Sequence, residues 1–182
     1  MGMLTLQTKR LSLRPITAED GLQLSAWAMD CQATKFLGYD VFTSEEQLTA
    51  HAVALTEKTK QSAHDYVWLV HLTGSPAAIG QVALHAGDTP GRYVLGYEFS
   101  VSAWGKGYAT EAAQAVIQFA FTQTPISFIY GTYDAENPAS GGVLRHCGMQ
   151  FLSQREGCDI KQGLTNRTMI RMYIERTDKE EG

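Results

Sequence analysis

Apolar and polar residues recur along this chain with two different periods, and each change of period marks a predicted element. Arg10 to Ile16, RLSLRPI, sets Leu11 and Leu13 two residues apart and stops at Pro15, which predicts a first strand. Thr17 then offers a helix N-cap with Asp20 three residues on, and Leu22, Leu24 and Trp27 supply an apolar helical face. A second start signal, Ser44 with Gln47, leads into Leu48, Ala52 and Leu55 at helical spacing, ending near Lys58. The period then shortens. Asp65 to Leu72 and Ala77 to Ala86 flank the turn signal TGSP and predict a hairpin, and Gly91 to Val101 predicts a third strand of that group. Ala109 to Thr122 is Ala-rich, with Ala113, Val116, Ile117 and Ala120 on one side, and predicts a helix. Ile126 to Tyr133 predicts another strand, and Pro138 to Gly148 a short helix with Pro at its start and Gly as its C-terminal cap. Gly141 and Gly142 inside it each cost roughly 1 kcal/mol relative to Ala. Met149 to Arg155 and Arg167 to Glu175 predict two last strands, joined through KQGLTN.

Composition narrows the class. With 182 residues, 44% hydrophobic and 19% charged, the chain reads as one domain spanning residues 1–182, its last six residues, TDKEEG, forming a disordered tail over 177–182. No run of 18 apolar residues exists to cross a bilayer, which predicts no membrane partner. The N-terminus lacks an apolar signal core, and Leu6 stands where a myristoylation signal needs Ser or Thr, so a cytoplasmic location is expected. Cys31, Cys147 and Cys158 share no metal-like spacing, so neither a disulfide framework nor a metal site is expected. The net charge of −4 and the lack of a Lys/Arg cluster predict no nucleic-acid partner. A mildly acidic surface suits a cationic substrate such as an amine.

The chemistry concentrates around Ser100 to Phe121, SVSAWGKGYATEAAQAVIQFAF, where a glycine-containing turn joins a strand to a helix. That arrangement presents backbone N–H groups, with a helix dipole behind them, to an anion. Gly105, Gly107 and Ala109 carry little or no side chain, so phosphate oxygens could approach the backbone closely. Two familiar phosphate loops fail on spacing. A P-loop needs Ser or Thr after Gly-Lys, where Gly107 stands, and a dinucleotide fingerprint beginning at Gly105 needs its third Gly where Thr110 stands. An ordinary strand-to-helix turn remains the other reading of these residues alone.

The segment WGKGYATEA, following GYEFSVSA and opening an Ala-rich run, resembles the acetyl-CoA-binding motif of the GNAT N-acetyltransferases, in particular their RimJ/RimL-like branch. Gly107 and Ala109 fill the motif's two small positions, and Trp104 stands where the general pattern has Gln or Arg. TKRLSLRPITAED resembles the branch's opening strand and helix cap, and DAENPASGGVLRHCGMQF its Asn, two residues, Ser, then a helix ending in Gly and an aromatic. Order and spacing agree over roughly Thr8 to Arg176. The resemblance implies an α+β fold: a mixed, mostly antiparallel sheet of six to seven strands, splayed between the fourth and fifth, with about four helices. It implies acetyl-CoA as cosubstrate, without a metal, and direct transfer to a primary amine, either a protein N-terminus or a small molecule. Homodimers are common in the family.

Residue by residue, the resemblance implies that the backbone of Gly105, Lys106, Gly107, Tyr108, Ala109 and Thr110 holds the pyrophosphate of coenzyme A. Tyr97 and Phe99, on the fourth strand, would pair with the pantetheine amides through their backbone as an added strand does, their side chains being ordinary core residues. Asn137 fits the family's contact to the pantetheine arm, and is also placed to cap the helix ahead of Pro138. The reaction needs a neutral amine. At pH 7 an α-amino group is neutral in roughly one molecule in ten and a lysine in only about one in 2,500, so a base matters. Glu98 is the candidate base, directly or through water, and a surface position or an ion-pair role is its alternative. Many members place a Tyr seven residues after the Asn as general acid, where this chain has Leu144; the role passes to Ser140, whose alternative is helix capping. His71 and His85 read as structural strand histidines. Asp134 and Glu136 read as solvated loop carboxylates that could draw in the amine, and of Trp27, Tyr39 and Phe42, which read mostly as core, one or two could line its pocket. The competing class is a coenzyme A-binding sensor without turnover.

Overall fold

The computed structural model of the chain describes residues 4–62, 65–161 and 163–177. Eight strands among them form one sheet: β1 (Leu6–Gln7), β2 (Leu11–Pro15), β3 (Tyr66–Leu72), β4 (Ala78–Ala86), β5 (Arg92–Phe99), β6 (Phe128–Asp134), β7 (Gln150–Cys158) and β8 (Arg167–Glu175). Their order is β1-β2-β3-β4-β5-β6-β8-β7, antiparallel at every junction except β5 with β6. The strand not anticipated from the pattern, β1, is two residues long, too short to show a period, and owes its existence to pairing Leu6 with Leu13.

Helices cover both faces. α1 (Gly21–Ala28) and α2 (Glu45–Gln61) bury Leu24, Trp27, Leu48 and Ala52 against Val67, Leu69 and Ala83 on one face. α3 (Tyr108–Gln123) and α4 (Pro138–His146) lie on the other, where Ala112, Val116 and Ala120 meet Leu11, Leu13, Trp68, Val70, Val82 and Leu95. Alternate residues of β3 and β4 therefore serve two separate cores, which is why their apolar runs are nearly continuous. The cap at Thr17 is present in altered form. Asp20 closes a 3-10 turn over Ala18–Asp20 rather than a regular α-turn, accepts the Thr17 N–H at 2.8 Å, and is gripped at 2.6 and 2.7 Å by Arg14 of β2. Burial alone would raise the Asp20 carboxyl, but these donors hold it below its usual range. At α2 the Ser44 hydroxyl accepts from Gln47 N–H, and the helix continues past Lys58 to Gln61. No described helix is long and apolar enough to cross a membrane. Of the expected tail over 177–182, all but Thr177 lies outside the described residues.

The functional geometry comes from one departure from regular pairing. β5 pairs with β4 along its whole length, yet its parallel pairing with β6 stops at Val94↔Tyr130, although both strands continue. This is the splay expected between the fourth and fifth strands, renumbered by the extra strand at the edge.

Candidate active site

Backbone parity on β5 decides what the gap offers. Arg92 O accepts from Gly87 N–H and Ser100 N–H donates to Ile79 O, so even-numbered residues turn their amides toward β4. Odd-numbered Leu95, Tyr97 and Phe99 consequently turn theirs toward the side that β6 has left, where no described strand pairs with them. Both residues expected to offer backbone to a pantetheine arm thus lie on the open edge. Their carbonyls are not equivalent, because Trp104 Nε1–H donates to Phe99 O at 2.9 Å while the residue as a whole stays 46% exposed. Trp104 is placed for this by the 3-10 turn over Val101–Ala103, and it seals the last carbonyl of the edge.

The glycine loop follows directly. Gly105 and Gly107 have φ of +70° and +77°, a region that side chains disfavour, and Gly107 is the N-cap from which the 16-residue α3 departs. The first N–H groups of that helix, on Tyr108, Ala109 and Thr110, have no partner within it and lie beside the exposed Gly105, Lys106 and Gly107. Lys106 folds back on the loop: its Nζ donates to Ser102 O at 2.8 Å, and its carbonyl accepts from Arg10.

The sequence left unassigned what braces this loop. Glu111, in the first turn of α3, accepts from Thr8 Oγ1 at 2.6 Å, Arg10 N at 2.9 Å and Arg10 Nε at 2.6 Å, while the Arg10 guanidinium lies over the Tyr108 ring. The opening motif and the glycine-loop motif are thereby one structure, joined through TKR and TEA. Burial alone would raise the Glu111 carboxyl, yet the bonds from Thr8 and Arg10 lower it. A carboxylate held low stabilises the fold above its unfolded pKa and loses that contribution as pH falls through the folded one. Glu111→Ala should therefore cost about 1 kcal/mol in denaturant unfolding at pH 7, and the difference from the parent should vanish in acid.

On opposite faces of the sheet stand the two candidate chemical groups. Glu98, being even, points to the α1/α2 face, where its Oε2 accepts from Trp27 Nε1 at 3.0 Å and Tyr39 Oη at 2.5 Å, with Gln81 bonded beside it. Burial raises the Glu98 carboxyl above its ordinary value despite these three donors. The ion-pair alternative is not realised: Trp27, Tyr39 and Gln81, which hold the carboxylate, are all neutral. Trp27, Tyr39 and Phe42 do gather on this side, Tyr39 stacking on Phe42 at 5.1 Å with His51 tilted against both. Lys161, from the β7–β8 connection, fixes their loop by donating to Thr34 O and Tyr39 O, each at 2.8 Å.

Ser140 lies on the α3/α4 face, in the first turn of α4. Asn137 is the cap of that helix, its Oδ1 accepting the Ser140 N–H at 3.3 Å, so capping is not the work of the Ser140 hydroxyl. That hydroxyl instead lies 2.9 Å from Tyr97 Oη, which is also 2.7 Å from Ser140 O. The Tyr97 side chain therefore ties β5 to α4 across the splay, beyond the core role expected of it, whereas Phe99 is core at 7% exposure. Leu144, at the position where a general-acid Tyr was looked for, is buried with its methyl groups over Gly131. Asp134 and Glu136 are both paired with Arg167, at 2.6 and 2.7 Å; Asp134 is buried in that pair, whereas the Glu136 side chain stays 68% exposed. His85 meets Asp65 at 3.0 Å and His71 is buried, both in strands as expected.

A family profile described as an acetyltransferase (GNAT) domain matches residues 10–150. An uncharacterized N-acetyltransferase, p20, of Bacillus licheniformis is 29% identical over 150 residues, covering 81% of this chain and 83% of that one. A GNAT-family acetyltransferase structure from Bacillus anthracis superposes with a TM-score of 0.83 at 23% identity, over 96% of this chain and all of the other. A RimL ribosomal L7/L12 α-N-protein acetyltransferase, solved in complex with coenzyme A, does so with a TM-score of 0.82 at 17% identity, over 94% and 98%.

Proposed function

This chain belongs to the GNAT acetyltransferase family, and from that premise we propose that it transfers the acetyl group of acetyl-CoA to a primary amine by direct attack in a ternary complex. One observation carries the reading: β5 loses its β6 partner after Val94, exposing the backbone edge of Tyr97 and Phe99, and that edge leads into the Gly105–Thr110 loop at the start of α3. An extended amide-bearing arm suits an open strand edge, and a diphosphate suits unpaired N–H groups with a helix dipole behind them. The pantetheine amides would pair with Tyr97 and with the Phe99 N–H, Trp104 having taken the Phe99 carbonyl, and Asn137, the cap of α4, would contact the same arm. The amine enters from the α1/α2 face. Glu98 takes its proton, directly or through water, and Ser140 donates a hydrogen bond to the departing thiolate on the far face.

Acceptor type follows two models of the family. The RimL neighbour is named for α-N-protein acetylation, and a relative of Aspergillus fumigatus, 25% identical over 166 residues, is named FsC-acetyl coenzyme A-N(2)-transacetylase. A protein N-terminal amine and a small-molecule amine are thus the two classes to compare. Thermal-shift titration with acetyl-CoA should raise Tm, and thiol release should appear with at least one member of a panel of N-terminally varied peptides and small amines. Stabilisation by acetyl-CoA without release for any amine would support a non-catalytic coenzyme A sensor instead. Failure of acetyl-CoA to stabilise the protein at all would remove the donor from the reading.

A further inference from the structure

We propose that Tyr97 is a positioning residue for the leaving thiolate: its hydroxyl exchanges one acceptor on Ser140 for another, and so releases the serine proton toward the sulfur. The inference rests on the acetyl-CoA reading above. It starts from a count of protons. Tyr97 Oη carries one hydrogen and has two acceptors within reach, Ser140 O at 2.7 Å and Ser140 Oγ at 2.9 Å. In one arrangement the phenol donates to the carbonyl and Ser140 Oγ–H donates back to the phenol oxygen, leaving both hydroxyls satisfied within the protein. In the other the phenol donates to Ser140 Oγ, and the serine hydrogen needs an acceptor elsewhere. A thiolate beside the serine is such an acceptor; a neutral thioester sulfur is a poor one. The second arrangement is therefore favoured only as charge develops on the leaving group, the condition for accelerating a reaction rather than tightening its ground state.

The surroundings suit a neutral donor. Tyr97 stays protonated, because burial lifts its phenol above the ordinary value, with the Ser140 hydrogen bond only partly opposing this. The titratable groups facing it are Tyr133 of β6 and Cys147 after α4, whose thiol burial pushes up to about 12; Arg145 of α4 donates to Tyr133 Oη at 3.4 Å. Packing alone requires a ring at position 97, not a hydroxyl.

The probe pair is coenzyme A and desulfo-coenzyme A, which differ only at the sulfur. Calorimetric Kd values from about pH 6 to about pH 10 should show the unaltered protein preferring coenzyme A increasingly as the bound thiol ionises, with its midpoint below the thiol pKa of free coenzyme A titrated in parallel. Tyr97→Phe should cut that preference by about threefold to tenfold at the alkaline end while leaving desulfo-coenzyme A binding unchanged. Ser140→Ala should do the same, and adding Tyr97→Phe to it should cost nothing more, since Tyr97 acts through Ser140. Full retention of the preference in Tyr97→Phe, equal weakening of both ligands, or an undiminished further loss in the Ser140→Ala background would each overturn the inference. Equal binding of both ligands by the unaltered protein at every pH would overturn it too, with the acetyl-CoA reading intact. No binding of either ligand would overturn both.

Discussion

Glu98→Gln should slow acetyl transfer by about 100-fold at pH 7, with the deficit shrinking toward about tenfold near pH 9. The substitution keeps the shape of the site. A glutamine carbonyl oxygen can still accept from Trp27 Nε1 and Tyr39 Oη, so the aromatic wall and the loop that Lys161 fixes should stay in place. What disappears is a group able to hold a proton taken from the acceptor amine. At low pH most of the amine is an ammonium ion and the base has most to do; at high pH the neutral amine is abundant and attacks unaided. The check is a pH profile of kcat/KM, in the two proteins, with whichever amine the panel identifies. A profile that moves down in parallel, with no change of shape, would take Glu98 out of proton transfer.

Stability should move the other way. Because burial raises the folded-state pKa of Glu98, keeping its carboxyl protonated is favourable in the fold, and that contribution is fully present below the unfolded value and lost as pH rises through the folded one. As pH rises through that folded value the parent acquires a buried charge that Glu98→Gln never carries. Melting curves should show the variant at least as stable as the parent at pH 7, with the two converging in acid. Reduced activity together with undiminished stability is the signature of a group retained for chemistry.

How far the sequence showed all this depended on the range of each interaction. The strand periods, the long Ala-rich helix and the glycine loop are written in spacings of two to four residues, and they emerge at nearly their expected boundaries, α3 at Tyr108–Gln123 against an expected 109–122. The splay was visible only through the resemblance, since the point where β5 and β6 part depends on two strands far apart in the chain. The partners of Glu98 were hidden for the same reason: Trp27 is 71 positions away and Tyr39 is 59, and nothing local to GYEFS requires either. The Thr8–Arg10–Glu111 brace spans about a hundred residues, although both of its ends lie in motifs the sequence had already singled out. Trp104 was opaque for a different reason. Its partner is only five residues upstream, but the contact exists because a 3-10 turn reverses the chain, and no side-chain pattern announces that turn.

The last case is the glycine pair of α4, where adjacent residues that look alike in sequence should respond in opposite senses. Helix propensity predicts a gain of roughly 1 kcal/mol for Ala at either position. At Gly142 that gain should be realised, because an added Cβ would have only Arg145 Nη2 within reach, at 3.9 Å. Gly142→Ala should raise Tm by about 2–4 °C. At Gly141 an added Cβ would lie 2.4 Å from Cζ of Tyr133, a ring that is 9% exposed and fixed beneath the helix. Relief requires α4 to lift, and overpacking of this kind costs about 1–3 kcal/mol, enough to offset the propensity gain and leave a net loss in most of that range. Gly141→Ala should accordingly melt below Gly142→Ala by several degrees. It should also lose activity, because lifting α4 carries the neighbouring Ser140 away from Tyr97 Oη, whereas Gly142→Ala should keep full turnover. Thermal melts and thiol-release rates of the two variants, measured side by side, decide it: equal stabilisation by both would mean that the contact between Gly141 and Tyr133 does not set the seat of the helix, and with it the position of Ser140.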